Sequence, residues 1–165
     1  PMNPDIVETL ETKLFMPFES NEYEFIRLNL ANGDMVGHTG NLNSSIIAAE
    51  VVDMCIGRII PAVKESGGIA VITADHGNLE EMYIIDKKTG EIKIDKETGE
   101  KRKKTSHTLN PVPLIIYDSE FKNEYKLAHF KEQPGIANIA SALLILLGFE
   151  PPEAYLPGVI EMVSK

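Results

Sequence analysis

The segment Ile69–Ala74 reads IAVITA and would present nonpolar side chains on both faces of a strand. Strands buried on both faces are typical of parallel sheets that helices cover on either side. Apolar residues at spacings of three and four between residues 47 and 63 predict a helix before this strand, ending at Gly67-Gly68. We expect Pro61 to kink that helix or split it in two. Val112–Tyr117 predicts a further strand, so the pattern indicates an α/β fold.

Three other segments complete the predicted elements. Asn3 and Pro4 begin a predicted amphipathic helix, which Pro17 ends. Phe25–Leu30 is a short, mostly apolar run that predicts a strand leading into a glycine-rich stretch. Asn138–Leu147 predicts a last helix, stopped by the glycine that follows it.

Residues 80–106 interrupt the α/β pattern. The sequence DKKTGE at residues 86–91 returns nine residues later as DKETGE at residues 95–100. A Thr-Gly turn on either side of Ile92–Ile94 predicts a solvated β-hairpin or a three-stranded flap. We interpret the basic run Lys101–Lys104 as a solvated face of this flap, with a phosphate or nucleic-acid patch as the less favoured alternative.

The composition argues against several classes of partner. Asp and Glu outnumber Lys and Arg by 25 to 16, which gives a formal net charge of −9. Surfaces that bind nucleic acid or anionic membranes carry an excess of Lys and Arg, so we expect neither partner. A phosphorylated substrate stays compatible with the charge, because a bound metal can outweigh nearby carboxylates. A single cysteine, the absence of any apolar run near ~20 residues and the lack of a leader-like start predict a cytoplasmic protein.

Carboxylate and imidazole side chains gather at the boundaries of the predicted strands. Asp34 and His38 lie four residues apart after the first strand. Asp75 and His76 directly follow the second strand, and His107 precedes the third. Open α/β sheets bind ligands at the carboxyl ends of their strands, and this mixed N/O donor set suits Zn²⁺, Mn²⁺ or Fe²⁺ better than Ca²⁺. We therefore predict a metal site without thiolate ligands.

Each of these residues also has a simpler explanation when it is taken alone. A lone His at a strand end is more often a hydrogen-bonded structural residue than a ligand. Asp75 lies in Asp-His-Gly-Asn, which is also a favourable turn sequence. The fourth histidine, His129, has no such company, and we expect it to be structural or exposed.

Three sequence blocks resemble a known family. They are NGDMVGHTG at residues 32–40, TADHGN at residues 73–78, and TSHT at residues 105–108 followed by NPVP at 110–113. In this order they are similar to the cofactor-independent phosphoglycerate mutases of the alkaline phosphatase superfamily, over a match from Phe25 to Gly148. The resemblance implies an alkaline-phosphatase-like, mostly parallel sheet flanked by helices, with residues 80–106 as a family-variable β-hairpin insertion.

The resemblance also implies an activity and a ligand set. The family interconverts 3-phosphoglycerate and 2-phosphoglycerate in glycolysis, using two Mn²⁺ ions and a phosphoserine intermediate. By the matched motifs, Asp34, His38 and His107 would hold one metal. Asp75 and His76 would share in holding the other. The implied partners are a small phosphorylated substrate and the remaining part of the same enzyme, while the substrate-binding residues stay unknown.

Some of the family's parts have no counterpart in these 165 residues. The nucleophilic serine, a further metal-binding aspartate and the arginine-rich substrate domain match nothing here. Ser44 and Ser45 are explained by helix capping, and Ser106 has no partner base. Only three arginines are present, too few for a clamp on a phosphorylated carboxylate. We therefore interpret residues 1–165 as a single incomplete domain, a fragment that binds one metal and does not turn over.

Two other function classes stay open at this point. Another phosphohydrolase or phosphomutase of the same superfamily would share the Asp and His ligands, although the block at residues 32–40 favours the mutase. A stand-alone, non-catalytic metal-binding or interaction module would instead use the flap.

Overall fold

The computed structural model of the protein describes residue 20 and residues 22–163, so the helix predicted between Asn3 and Pro17 lies outside the described residues. The first compact unit ends at Tyr117 and the second begins at Asp118. In chain order the elements are α1 (Asn32–Gly37), α2 (Leu42–Glu65), β1 (Ile69–Thr73), β2 (Leu114–Asp118), β3 (Tyr125–Leu127), a 3₁₀ turn (Ile136–Asn138), α3 (Ile139–Leu146) and β4 (Ile160–Met162).

The first unit is built around the long helix α2 and the two-stranded sheet β1–β2. Both strands lie where the apolar runs predict them, and the α/β fold class is confirmed. Their burial is less complete than predicted, since Ile69 and Ile115 expose 38% and 52% of their surface. Among the described residues this sheet has only two strands, so each strand has a partner on one edge only.

Helix α2 begins and ends with ordinary capping chemistry. The side chain of its N-cap, Asn41, accepts a hydrogen bond from the Ser44 N–H at 3.1 Å. After the last turn, Gly67 adopts a φ of 68°, a left-handed conformation that glycine reaches without strain. Pro61 does not split the helix, contrary to one predicted outcome, because it lies near the C-terminus and removes only one backbone bond. No helix in the described part of the chain is both long and apolar enough to cross a bilayer.

The strand predicted over Phe25–Leu30 is wrong. The structure gives this segment no regular hydrogen bonding, and Phe25, Ile26 and Leu28 are exposed. A strand forms only where a neighbour pairs with its backbone groups, and none pairs with this segment among the described residues. The glycine-rich stretch that follows instead folds into the short helix α1.

The flap is three short extended segments that hydrogen-bond to one another, as the predicted three-stranded flap would. The N–H of Ile84 donates to the carbonyl of Arg102 (2.9 Å), that of Arg102 to Lys93 (2.8 Å), and that of Lys93 back to Ile84 (2.8 Å). The three residues are nine apart, matching the period of the repeat. Gly90 and Gly99 make the two turns at φ values of 74° and 73°. The repeat therefore builds a ring of backbone hydrogen bonds.

The second unit packs α3 against the antiparallel pair β3–β4. Ile160 on β4 and Ser141 on α3 are almost fully buried. The Ser141 hydroxyl donates to the carbonyl of Leu156 at 2.5 Å, and the Asn138 side chain donates to the carbonyl of Pro157 at 2.7 Å. These bonds satisfy the buried polar groups and hold the segment before β4 against α3.

Tyr125 on β3 provides a pH-dependent test of the second unit. Burial and the hydrogen bond that its hydroxyl donates to Asp118 (3.0 Å) raise the pKa of Tyr125 to about 12. In the unfolded chain a tyrosine ionises near ~10, so the stabilisation is fully present below pH ~10 and is lost as the pH rises toward ~12. We expect the free energy of unfolding to fall over this range by on the order of 2 kcal/mol more in the wild type than in Tyr125→Phe. Denaturant titrations at several pH values would measure the difference, and parallel curves for the two proteins would contradict it.

Candidate metal centre

Helix α1 sets Asp34 and His38 side by side. The two residues are one helical turn apart, so their side chains share a face of the helix. The His38 Nε2 atom lies 3.2 Å from Asp34 Oδ1. The sequence predicted that Asp34 and His38 lie close together, but it did not predict the helix in the glycine-rich stretch that brings them together.

Two further histidines converge on the same carboxylate oxygen. The Nε2 atom of His107 lies 3.1 Å from Asp34 Oδ1, and the Nε2 atom of His76 lies 3.9 Å from it. His76 follows β1, and His107 comes from the segment between the flap and β2. Asp34, His76 and His107 offer ligand atoms within 4.8 Å of one another, a geometry that could hold a metal ion.

The ring orientations of two histidines are set by backbone carbonyls. The His38 Nδ1 atom lies 2.7 Å from the Thr105 carbonyl oxygen, and the His76 Nδ1 atom lies 3.3 Å from the Gly77 carbonyl oxygen. A carbonyl oxygen can only accept a hydrogen bond, so Nδ1 is the protonated nitrogen in each neutral ring. Both Nε2 lone pairs are therefore presented to the centre, which is the outer-shell arrangement common for metal-binding histidines.

The spacing of the donor atoms fits a divalent metal. Two ligand atoms about 2.1 Å from a tetrahedral ion lie about 3.4 Å apart. The Nε2 atoms of His38 and His107 lie 3.1 Å apart, and each is about as far from Asp34 Oδ1. Two imidazole lone pairs at this distance repel unless a proton or a metal ion lies between them. One carboxylate and three imidazoles, with no thiolate, suit a borderline metal ion.

The Asp34 side chain is held in its ionised form. The Asn78 side-chain amide donates to Asp34 Oδ1 at 2.7 Å, and this bond is the main reason why the pKa of Asp34 lies below its ordinary value. Partial desolvation opposes the shift, and the three histidines reinforce it. Asp34 is consequently a carboxylate at neutral pH, with Oδ1 facing the imidazoles.

Asp75 lies at the edge of this cluster. Its Oδ1 atom is 3.6 Å from His76 Nε2, and 85% of its side chain is exposed to solvent. The structure thus brings all five predicted ligands into one neighbourhood, with four converging closely and Asp75 more open. His76 lies close enough to Asp34 and His107 to share one metal with them, and it is also adjacent to Asp75. How the five residues divide between two metals therefore stays a prediction.

Several residues behind the ligands were missed in the sequence analysis. Asn78 and Thr108 are buried, and Glu80 accepts hydrogen bonds between them. Gly37 packs so closely on Asn78 and Leu79 that a Cβ atom there would lie 2.9 Å from Leu79 Cδ2. Asn78 and Glu80 follow His76 by two and four residues, and Asn78 also belongs to the motif block at residues 73–78. For Glu80, its proximity to the Asp-His pair is the only sequence signal.

Three lysines of the basic run in the flap contact nearby residues of the first unit. The Lys104 ammonium lies 3.3 Å from the Glu81 carboxylate, and the Lys101 ammonium lies 5.6 Å from the centre of the Tyr83 ring. The side chain of Lys103 lies against Gly40, at the turn between α1 and α2. These contacts favour the interpretation of the run as a flap surface over that of a phosphate or nucleic-acid patch.

The family comparisons agree with this geometry. Residues 6–151 match the model of the Metalloenzyme superfamily. The chain is 42% identical over 159 residues to a probable 2,3-bisphosphoglycerate-independent phosphoglycerate mutase of Leptospira interrogans, covering 96% of this chain and 28% of that protein. It is 42% identical over 146 residues to a probable mutase of the same type from Arabidopsis thaliana, covering 88% of this chain and 26% of that protein. The chain therefore spans little more than a quarter of the length of these relatives.

A solved structure of a phosphoglycerate mutase has a similar fold over most of this chain. A crystal structure of Leishmania mexicana phosphoglycerate mutase at low cobalt concentration superposes with a TM-score of 0.86 and 36% sequence identity. The match covers 94% of this chain and 28% of that one. The resemblance in the three motif blocks and the alkaline-phosphatase-like fold class are thereby confirmed.

Proposed function

We propose a function for this chain from one established premise, which is that the chain belongs to the Metalloenzyme superfamily. The proposed function is to supply the metal-binding part of a cofactor-independent phosphoglycerate mutase. That enzyme would interconvert 3-phosphoglycerate and 2-phosphoglycerate through a phosphoserine intermediate, as an isomerase of glycolysis in the cytoplasm. The names of the relatives and the three motif blocks support this activity.

The observation that carries the proposal is the convergence of three Nε2 atoms on Asp34 Oδ1. In the proposed assignment Asp34, His38 and His107 hold one metal, and Asp75 and His76 share in holding a second. The His76 Nε2 atom lies 3.9 Å from Asp34 Oδ1, farther than the Nε2 atoms of His38 and His107, so His76 is placed to serve a second, neighbouring metal in this assignment.

Bound divalent metals would lower the pKa of the attacking hydroxyl and neutralise charge on the phosphoryl oxygens. The chain's own residues prepare the centre for this. The Thr105 and Gly77 carbonyls fix the His38 and His76 rings, and Asn78 keeps Asp34 ionised and oriented. We propose Mn²⁺ as the ion, because the family that the motif blocks resemble uses it, and nitrogen and oxygen ligands without thiolate are compatible with it.

The rest of the catalytic machinery would come from the remaining part of the same enzyme. No residue of this chain matches the family's nucleophilic serine, and three arginines are too few for its substrate clamp. We propose that residues 1–165 belong to a single domain that the remaining part completes, with residues 80–106 as a flap insertion. The exposed apolar side chains of Ile47, Val51 and Met54 on α2 support this, because such a stripe usually packs against another element.

A chimera tests the proposed function. This chain would replace the segment of the Leptospira interrogans relative that aligns with it, and the interconversion of the two phosphoglycerates would be assayed with Mn²⁺. We expect the chimera to be an active mutase and the isolated 165-residue chain to bind metal without turnover. Phosphatase activity toward other monoesters in place of mutase activity would favour another enzyme of the superfamily. Mutase turnover by the isolated chain would contradict the proposal that it lacks the nucleophile.

The chimera has an internal control. The same chimera with His107→Ala should bind 3-phosphoglycerate and 2-phosphoglycerate without interconverting them, because the substitution removes a predicted metal ligand. The same substitution at His129, which belongs to none of the motif blocks, should leave turnover unchanged. Equal activity in the two variants would remove His107 from the proposed ligand set.

A further inference from the structure

We propose that Glu80 is a positioning residue of the metal centre, whose carboxylate ties the segment bearing His107 to the segment bearing His76 and Asn78. This inference rests on the proposed function only in that the Asp34 cluster binds a metal. Glu80 belongs to none of the predicted ligands, and its role follows from the hydrogen bonds that it accepts.

The Glu80 carboxylate collects donors from two separate segments of the chain. Its Oε2 atom accepts the backbone N–H of Asn78 at 2.7 Å. Its Oε1 atom accepts hydrogen bonds from the hydroxyl of Thr108 and from the side-chain amide of Asn110, the latter at 3.0 Å. Three donors fill most of the roughly four acceptor positions of one carboxylate, and hydrogen bonds to a charged acceptor are stronger than neutral ones.

Both segments carry groups of the metal centre. Thr108 is the residue after His107, and its N–H donates to the Gly77 carbonyl at 2.9 Å. On the other segment, Gly77 follows His76, and Asn78 donates to Asp34 Oδ1 at 2.7 Å. Glu80 therefore acts on the ligands through one intervening residue on each side, which is how outer-shell groups orient metal ligands.

Close packing around Glu80 and Thr108 restricts the positions that their side chains can take. A Cβ atom at Gly77 would collide with the Thr108 hydroxyl and the Glu80 carboxylate, so the backbone at residue 77 passes directly beside the pair. Thr108 and Asn78 are buried, and water has poor access to replace a lost partner. Although partial burial raises the pKa of Glu80, the bonds from Thr108, Asn110 and Asn78 lower it overall, which keeps the side chain an acceptor at neutral pH.

The test compares metal affinity and coordination in the 165-residue chain. Glu80→Ala removes all three acceptor contacts, and Thr108→Val removes only the hydroxyl bond between Thr108 and Glu80 while keeping the side-chain shape. Mn²⁺ affinity would be measured by titration calorimetry, and the visible absorption of bound Co²⁺ would report the ligand geometry. We expect each variant to weaken Mn²⁺ binding about 10- to 100-fold and to change the Co²⁺ spectrum.

Matched variants separate positioning from general destabilisation. Thr108→Ser keeps the hydroxyl and should restore affinity to within a few-fold of the wild type. Glu97→Ala removes an exposed carboxylate of the flap and should leave both measurements unchanged. Circular dichroism would establish that each variant is folded, and if Glu80→Ala does not fold, the Thr108→Val and Thr108→Ser pair decides the question.

The outcomes distinguish this inference from the proposed function. If the wild-type chain binds Mn²⁺ and both Glu80→Ala and Thr108→Val bind it equally well with the same Co²⁺ spectrum, the positioning role is overturned and the metal centre stands. If the wild-type chain binds no divalent metal, the proposed function fails and the positioning role fails with it. Weakened binding in both variants, reversed in Thr108→Ser, supports the inference.

Discussion

Replacing His107 with alanine should reduce the affinity of the chain for Mn²⁺ by more than about 100-fold, since even an outer-shell loss typically costs 10- to 100-fold. The His107 Nε2 atom lies 3.1 Å from both Asp34 Oδ1 and His38 Nε2, so the substitution removes a donor at the point of convergence. Titration calorimetry of the wild-type chain should show one Mn²⁺ site, because five donors complete one metal site but leave a second short of ligands.

His129→Ala is the matched control for this measurement. It also removes one imidazole, but His129 lies in the second unit and outside the motif blocks. We expect its Mn²⁺ affinity and stoichiometry to equal those of the wild type. Two tight sites in the wild type, or an unchanged site in His107→Ala, would contradict the three-ligand assignment and the idea that the second site needs the remaining part of the enzyme.

The substitution Gly37→Ala should destabilise the first unit by about 1–3 kcal/mol, the usual cost of inserting a carbon into a well-packed region. The new Cβ atom would lie 2.9 Å from Leu79 Cδ2 and would collide with the Asn78 side-chain oxygen. Asn78 is buried and donates to Asp34 Oδ1, so it cannot move aside without losing that bond. The variant should therefore lose metal affinity as well as stability, measured by denaturant titration and calorimetry.

Gly57→Ala is a control that should change the free energy of unfolding in the opposite direction. Gly57 also lies in a helix, α2, but nothing lies within 4 Å of where its Cβ atom would be. An alanine there restricts the unfolded chain and favours the helix, so we expect stabilisation by about 0.5–1 kcal/mol with unchanged metal affinity. If both glycine variants shift stability in the same direction, the close packing at Gly37 is not what limits that position.

The elements that the sequence predicted well are those whose signal is local. The apolar run at Ile69–Ala74 and the three- and four-residue spacing in α2 depend on nearby residues alone, and the structure has β1 and α2 there. The flap followed from a visible nine-residue repeat. The strand predicted at Phe25–Leu30 failed because a strand depends on a partner elsewhere in the chain, which an apolar run does not specify.

In the metal centre, too, only the residues with a local sequence signal were predicted. Acidic and imidazole residues at strand ends pointed to Asp34, His38, His76 and His107, and the structure brings these four together. The residues that support them were not predicted, since nothing local distinguishes Glu80 from the neighbouring Glu81. Its importance arises only when folding places Thr108 and Asn110 against it.

The closed ring of the flap determines what shortening it would expose. Each of its three segments is bonded to both others through Ile84, Lys93 and Arg102, so the flap has no free strand edge on which another molecule could add a strand. Deleting one nine-residue repeat would open the ring and create two such edges at once. We therefore expect a variant that lacks one repeat to associate through these edges more readily than either the intact protein or a variant that lacks the whole flap.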